Sequence, residues 1–431
     1  MGQAEIEKTI FSFLEENVPV GQWLLVGYSG GLDSTALLKG LTAISQWPIH
    51  VVHVNHGWRE ESGKEAREIE GQVRSLGLAF SCVQLSPPPE DVNLEEWSRN
   101  ERYRAFLEIG KKIGTKRLIV AHQADDQIEV VCKRFLEGAS ITKFCGMRPV
   151  EELFGLQILR PLLSVRRCEL QKFLGTTHYI DDPTNRDRSF LRARMREEIF
   201  PFLSRSFGKN VMSSIHRVSK EAALLEQFAH EKMDEICECF PVKGGVIALL
   251  EETVHPFIAG VLIDTLSREA KIPALSRQQR DLVVQTLCYD GCKRALHTGG
   301  GVVFVERQAV IALSKQMERT GKTVCEGRQG ETTVGSWSVQ WSEVEDGKKQ
   351  GGGWQALFQG EEQRFYIPKG SFLIRSSNEK LLRKVRRKGV PISLRPYVPC
   401  IVQGFELVVD PLSGYNGPMD FPCTEIRVKL I

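Results

Sequence analysis

The sequence predicts an α/β fold. A first domain, built as a parallel sheet with helices on both faces, is followed by a helical domain and a small α+β C-terminal domain. Three observations carry this prediction. Short apolar runs alternate with amphipathic stretches through the first 140 residues, the pattern of strand–helix–strand units. "LLVGYSGGLDSTALL", from Leu24, joins an apolar run to a helical one through a glycine-rich turn. Beyond Phe207 the apolar residues fall at helical spacing, and later in short runs around glycine-rich text.

In chain order, the expected strands are Trp23–Tyr28, Ile49–Asn55, Ala79–Leu85 and Arg117–Ala121. The expected helices are Thr35–Ser45, Gly63–Leu76, Leu94–Lys112 and Asp125–Leu136. Residues Leu159–Leu203 read as helical and arginine-rich, broken by "DDPTNRD". From Phe207 to Leu287 apolar positions such as Ala222, Leu225 and Phe228 repeat at three or four residues. "GGGVVFVERQAVIAL" reads as a hairpin, and short strands surround a basic helix at Lys380–Lys388. The expected domains are an α/β domain over 1–207, a mainly helical domain over 208–315, a Gly-rich polar linker or loose β over 316–362, and an α+β domain over 363–431.

Composition narrows the class. No apolar run approaches the length of a membrane helix. The N-terminal stretch is acidic and amphipathic, without a basic n-region or cleavage site, so a cytoplasmic protein is expected. Eleven scattered cysteines argue against a secreted disulfide framework, and none has CxxC spacing. Net charge is only +3, but two patches are strongly basic. Arg186–Arg196 carries five arginines against one acid, and six of nine residues in Lys380–Lys388 are basic. Both suit phosphate backbones.

Ligands of parallel sheets sit at the carboxyl ends of the strands. The loops there contain "SGGLDS", "HGWREES" and "HQADDQ". No lysine follows Gly31, so the turn is not a Walker loop, and GxGxxG is absent. Gly30 and Gly31 let backbone amides approach an anion, Ser29, Ser34 and Thr35 add hydroxyls, and the helix N-terminus adds partial positive charge. A carboxylate, Asp33, fits if it binds a divalent cation that itself grips phosphate.

In Ser29–Ser34 the chain resembles the PP-loop ATP pyrophosphatases, whose SGGxDS signature is matched in full. The resemblance implies that ATP is bound at Ser29, Gly30, Gly31, Leu32, Asp33 and Ser34 with Mg²⁺ on Asp33, and is cut between its α- and β-phosphates. "VNHGWREES", "SRNERY", "AHQADDQIE", "EGASITKFCGM", "RPLLSVRRCEL" and "DDPTNRDRSFLRARMREEIFPFL" are similar, in order, to motifs of the tRNA(Ile)-lysidine synthetase family. So is the C-terminal domain, and the resemblance implies a PP-loop catalytic domain over 1–207 and tRNA-binding domains over 208–315 and 363–431. That resemblance implies a ligase acting on the wobble cytidine of the isoleucine tRNA with a CAU anticodon. ATP adenylates the C2 oxygen, and free lysine then displaces AMP.

By the same resemblance Asp126 and Glu129, at i and i+3 on one helix face, hold the lysine ammonium, and one of them accepts a proton. Asp33, Asp126, Glu129 and Arg102 are the expected catalytic residues, Arg102 contacting phosphate or intermediate, and His56 and His122 stand by the cleft. Arg192, Arg194 and Arg196 are expected on tRNA phosphates, as are Arg383, Lys384, Arg386, Arg387 and Lys388. A homodimer is admitted. The chain departs from the family's usual letters at Gln123 for a second His, Val130 for Thr, Ala193 for Asn in the RNxxR stretch, and "SSNEK" for a Gly-Asp turn in the C-terminal domain. Two rival readings are a tRNA thiolase of the same superfamily and a non-catalytic RNA-binding protein with a vestigial nucleotide loop.

Overall fold

A computed structural model of the chain describes residues 3–57, 62–92, 94–181, 188, 191–251, 253–314, 321–345, 354–376, 391, 397–403, 406–411, 415–416 and 423–430. Two compact units divide it, Met1–Leu225 and Glu226–Ile431.

The first unit is built on strands β1 (Leu24–Gly27), β2 (Ile49–Asn55), β3 (Ala79–Gln84) and β4 (Arg117–Ile119), and a hairpin of β5 (Val150–Leu153) and β6 (Leu156–Leu159). Their order is β3-β2-β1-β4-β6-β5, parallel except for β5. These four strands start where the apolar runs predict, within a residue; β1, β2 and β4 are largely buried and read as apolar text, whereas the edge strand β3 is partly exposed. Along β1 the faces alternate. Leu24 and Val26 pack with α1 (Gln3–Asn17), α2 (Leu32–Ile44), α3 (Ser62–Ser75) and α6 (Arg167–Leu174), whereas Leu25 packs with α4 (Leu94–Ile113). Helix α1 lies on α2 so closely that a Cβ on Gly40 would come within 2.4 Å of Ile10 Cδ1. The chain runs from β1 to β2 on one side and to β4 on the other, so a crevice opens beyond the carboxyl end of β1. Helix α5 (Ala124–Leu136) begins at that crevice.

Further on, α7 (Leu191–Arg194) passes into a π turn over Met195–Ile199 and then into α8 (Phe200–Phe207). The cause is local. Pro201 has no N–H for the carbonyl four residues back, and the Phe200 N–H reaches the Met195 carbonyl five residues back. Met195 and Phe200 pack on Ile128 and Cys132 of α5, which fixes the turn over the start of that helix. Helix α9 (Val211–Ile236) follows.

In the second unit the mainly helical expectation for 208–315 is corrected. Strands β7 (Cys237–Val242), β8 (Gly245–Leu250), β9 (Arg294–Thr298), β10 (Gly301–Glu306) and β11 (Ala309–Leu313) form an antiparallel sheet, ordered β7-β8-β11-β10-β9. Helices α10 (Pro256–Glu269) and α11 (Arg277–Gln285) cover one face. Both faces of the central strands are buried, so "VIALL" loses the alternation that marks a strand. The Lys243–Gly244 turn between β7 and β8 was the available signal. The predicted hairpin at β10 and β11 is present.

Within 316–362 the described residues form β12 (Thr323–Cys325), β13 (Gln329–Val334), β14 (Trp337–Val344) and α12 (Trp354–Phe358), anchored by a fully buried Trp337. With β15 (Gln363–Pro368), β16 (Phe372–Ser376), β17 (Pro399–Gln403), β18 (Glu406–Asp410), β19 (Tyr415–Asn416) and β20 (Cys423–Leu430) they make two further antiparallel sheets, β12-β16-β17-β18-β19 and β13-β14-β20-β15. The Gly351–Gly353 run and the basic segment Lys380–Lys388 lie outside the described residues.

Candidate active site

The loop after β1 holds itself in shape through groups only a few residues apart. Gly30 adopts φ +79°, and a Cβ there would stand 2.9 Å from Ile69 Cδ1, so glycine is required twice over. The Ser34 hydroxyl donates to the Gly31 carbonyl at 3.0 Å, and the Thr35 hydroxyl to the Gly30 carbonyl at 3.2 Å. Tyr28 closes on Thr35 at 3.2 Å, and the Ser29 hydroxyl lies 3.1 Å from that of Ser34. From β2, His53 Nδ1–H donates to the Tyr28 carbonyl at 2.9 Å. Gly31 is the N-cap of α2 and no side chain caps it, which leaves the first amides of the helix for an anion.

Asp33 stands in the first turn of α2. Its Oδ2 accepts from Arg167 Nη1 at 2.7 Å, while its buried Oδ1 has no hydrogen-bond partner among the described residues. Burial pushes its pKa up to about 6, against the pull of Arg167 and with the help of the Asp126 charge. An unpartnered hard oxygen at a phosphate loop fits a Mg²⁺ held mainly by the nucleotide. Among the described residues no cluster of three or more His, Cys, Asp and Glu could hold a metal alone.

Across the crevice, Gln123 caps α5. Its side chain accepts from the Asp125 N–H at 2.6 Å, and its own N–H donates to Asp126 Oδ2 at 3.1 Å. The departure from the family's usual histidine therefore lies at a helix cap. The other oxygen of Asp126 accepts from Arg196 Nη2 at 2.9 Å, and Glu129 Oε1 accepts from Arg196 Nε. Glu129 is only 2% exposed, and its buried Oε2 has no partner among the described residues. Burial raises its pKa, Arg196 opposing. Burial works against the charge of Arg196, but Glu129, Asp126 and Asp33 outweigh it and raise the arginine's pKa. Arg166 grips Asp125 with two nitrogens, at 2.8 and 3.2 Å, and the Arg167 N–H donates to the same carboxylate at 2.8 Å.

A cationic wall lies beside these acids. Arg102 has its pKa lowered by burial, and Arg99 and Arg192 push it the same way. Among the described residues none of these three arginines has a carboxylate partner; Glu101, next to Arg102 in sequence, holds Arg104 at 2.7 Å. Burial, then Arg160 and Arg102, drive the His122 pKa down to about 3. Arg160 Nε donates to His122 Nδ1 at 3.2 Å, so this ring is neutral with its proton on Nε2. His56, desolvated and near Arg102, is pushed down to about 4.

The structure therefore brings Asp33, Asp126, Glu129, Arg102, His56 and His122 to one end of the sheet, as expected from sequence. Arg194 points outward, exposed, whereas Arg196 is turned into the cleft and Arg192 is exposed at its rim within electrostatic reach of His122 and Glu129. Ala193 is buried. Arg166, Arg167, Arg160 and Arg99 were missed; no spacing rule connects Arg166 and Arg167 to acids 41 and 134 residues away. Arg383, Lys384, Arg386, Arg387 and Lys388 lie outside the described residues.

Residues 3–203 match the PP-loop domain family. A tRNA(Ile)-lysidine synthase from Protochlamydia amoebophila (strain UWE25) is 30% identical over 426 residues, 93% of this chain and 91% of that protein. Another, from Chlamydia felis, is 35% identical over 235 residues, 52% of this chain and 72% of that one. Among solved structures, the U34-tRNA thiolase from Methanococcus maripaludis is similar over 51% of this chain and 78% of that one, with a TM-score of 0.42 and 18% identity. A likeness of that size bears on no substrate.

Proposed function

The chain belongs to the tRNA(Ile)-lysidine synthase family, which makes it an ATP-using carbon–nitrogen ligase acting on tRNA, and from that premise we infer how its cleft works. The wobble cytidine of the CAU-anticodon isoleucine tRNA is unpaired and enters the crevice between the β1 loop and α5. Its C2 oxygen attacks the α-phosphorus of ATP, the α–β bridge breaks, and pyrophosphate leaves. The ε-amine of free lysine then bonds to C2, the C2–O bond breaks, and AMP departs with the oxygen.

Residues Ser29 to Ser34 hold the phosphates through backbone amides and hydroxyls. Asp33 would hold Mg²⁺ through Oδ1, and the cation when bound offsets charge on the departing pyrophosphate. Asp126 and Glu129 receive the lysine ammonium. Glu129, with its raised pKa, is the better proton acceptor as the amine becomes nucleophilic. Arg102, with Arg99 and Arg192, binds phosphate or the adenylated base. The neutral His122 ring presents an N–H donor at the same wall. Arg194 and the basic segment 380–388 serve the tRNA backbone.

The observation that carries this reading is geometric: Arg167 bonds Asp33 through its side chain at 2.7 Å and Asp125 through its backbone N–H at 2.8 Å, which sets the start of α5 beside the β1 loop and supports a shared site. Incubation with ATP, radiolabelled lysine and the CAU-anticodon transcript is expected to place label in the tRNA. Unlabelled tRNA with ATP still split would refute lysine as the nucleophile. No described helix is long and apolar enough to cross a membrane. A cytoplasmic location and a homodimer belong to the proposal, to be tested by fractionation and sedimentation velocity.

A further inference from the structure

We propose that Arg196 is a built-in occupant of the lysine-ammonium site, filling it in the free enzyme and withdrawing when lysine enters. The inference rests on the reading of Asp126 and Glu129 as the lysine site. Three observations support it. First, one guanidinium contacts both carboxylates, through Nη2 to Asp126 Oδ1 at 2.9 Å and Nε to Glu129 Oε1. The contact is the one a substrate ammonium would make, so enzyme and substrate cations compete for the same oxygens.

Second, the occupancy is incomplete. Glu129 Oε2 is buried and has no partner among the described residues. A compact ammonium with three donors can satisfy geometry that a planar fork leaves open. Third, the cation arrives from a separate, less buried element. Arg196 is carried on the π turn Met195–Ile199, not on α5, and its side chain is 25% exposed against 2% for Glu129. It has somewhere to go: Asp33 lies within electrostatic reach, and pyrophosphate formed there would be a better counterion than two shared carboxylates. A pair of buried carboxylates left empty would be costly in the absence of substrate. An internal arginine keeps them charged and in place.

An occupied site weakens apparent affinity by the fraction of time it is closed. Arg196→Gln is therefore expected to bind radiolabelled L-lysine about tenfold or more tightly than the unmodified enzyme in equilibrium dialysis without ATP or tRNA. Unchanged or weaker binding by folded Arg196→Gln would overturn the proposal, since a permanent holder of the two acids predicts loss. Glu129→Gln serves as the separate check on the underlying reading. If it leaves lysine binding intact, the lysine site itself has been misassigned; if it weakens binding while Arg196→Gln does not tighten it, only the occupancy proposal fails. Should Arg196→Gln not fold, the unmodified enzyme decides. The ¹⁵N resonance of Arg196 Nε–H, assigned with Arg196→Lys, is expected to broaden or shift as lysine is titrated in. A resonance that saturating lysine leaves unmoved would also overturn the proposal.

Discussion

The β1 loop and the first turns of α5 face each other across one crevice, yet they are made in opposite ways. In the loop, shape comes from the backbone. The hydrogen bonds among Tyr28, Ser29, Gly30, Gly31, Ser34 and Thr35 span at most seven residues. At α5, function resides in side-chain charge, and each acid is answered from far along the chain: Asp125 by Arg166, 41 residues on, and Glu129 and Asp126 by Arg196, 67 and 70 residues on. A backbone site binds whatever anion fits its amides. Buried carboxylates need cations beside them, and here arginines supply them.

Asp33 belongs to both, and altering it breaks the comparison most severely. Asp33→Asn is expected to reduce pyrophosphate release by about a thousandfold, the scale of losing a key electrostatic group, while filter binding shows tRNA still held. The same change is expected to raise Tm at pH 7.5. The folded pKa of about 6 stands above the 3.8 of the unfolded chain, so the native state binds the extra proton between those values. Stability therefore falls as pH rises from about 4 to 6, and by pH 7.5 the charged Asp33 costs up to about 3 kcal/mol. Scans of Tm against pH should show the mutant's advantage growing through that window and absent below it. A less stable mutant at pH 7.5 would mean that the Arg167 pair outweighs burial.

Next in size, Glu129→Gln and Asp126→Asn are expected to slow lysine transfer about a hundredfold in single-turnover assays while changing adenylation far less. Equal losses in both half-reactions would merge the two sides of the crevice into one functional group. Replacing Arg192 and Arg194 together by glutamine is expected to lower tRNA affinity about tenfold and to flatten the salt dependence by about two in log–log slope. A slope that does not change would remove both from the RNA surface. The smallest effect is expected from Gln123→Ala, which deletes the side-chain cap on the Asp125 N–H but keeps the backbone N–H that holds Asp126: about 1 kcal/mol of stability, read by urea denaturation, with lysine affinity little changed. A marked loss of lysine affinity would tie the cap to the site.

Much of this could be read before any coordinates. The strands β1 to β4, the helices between them and the hairpin of β10 and β11 follow from local apolar pattern. So do the loop and the spacing of Asp126 and Glu129, since each depends on neighbours within a turn or two. The sheet built from β7, β8 and β9 with that hairpin escaped because burial on both faces erases alternation. The wide role given to the Arg186–Arg196 run also divided on folding: Arg194 faces outward, Arg196 inward.

By itself, then, the sequence determined the nucleotide loop, the alternation that places it at a strand end, and the resemblance that names the reaction. Tertiary structure alone decided which arginine meets which acid. Charge pairing is a matter of distance in space, and a guanidinium on a flexible stem carries no mark of a partner up to 134 residues away. Pro201 set the π turn locally, but only packing on Ile128 and Cys132 swung Arg196 over Glu129.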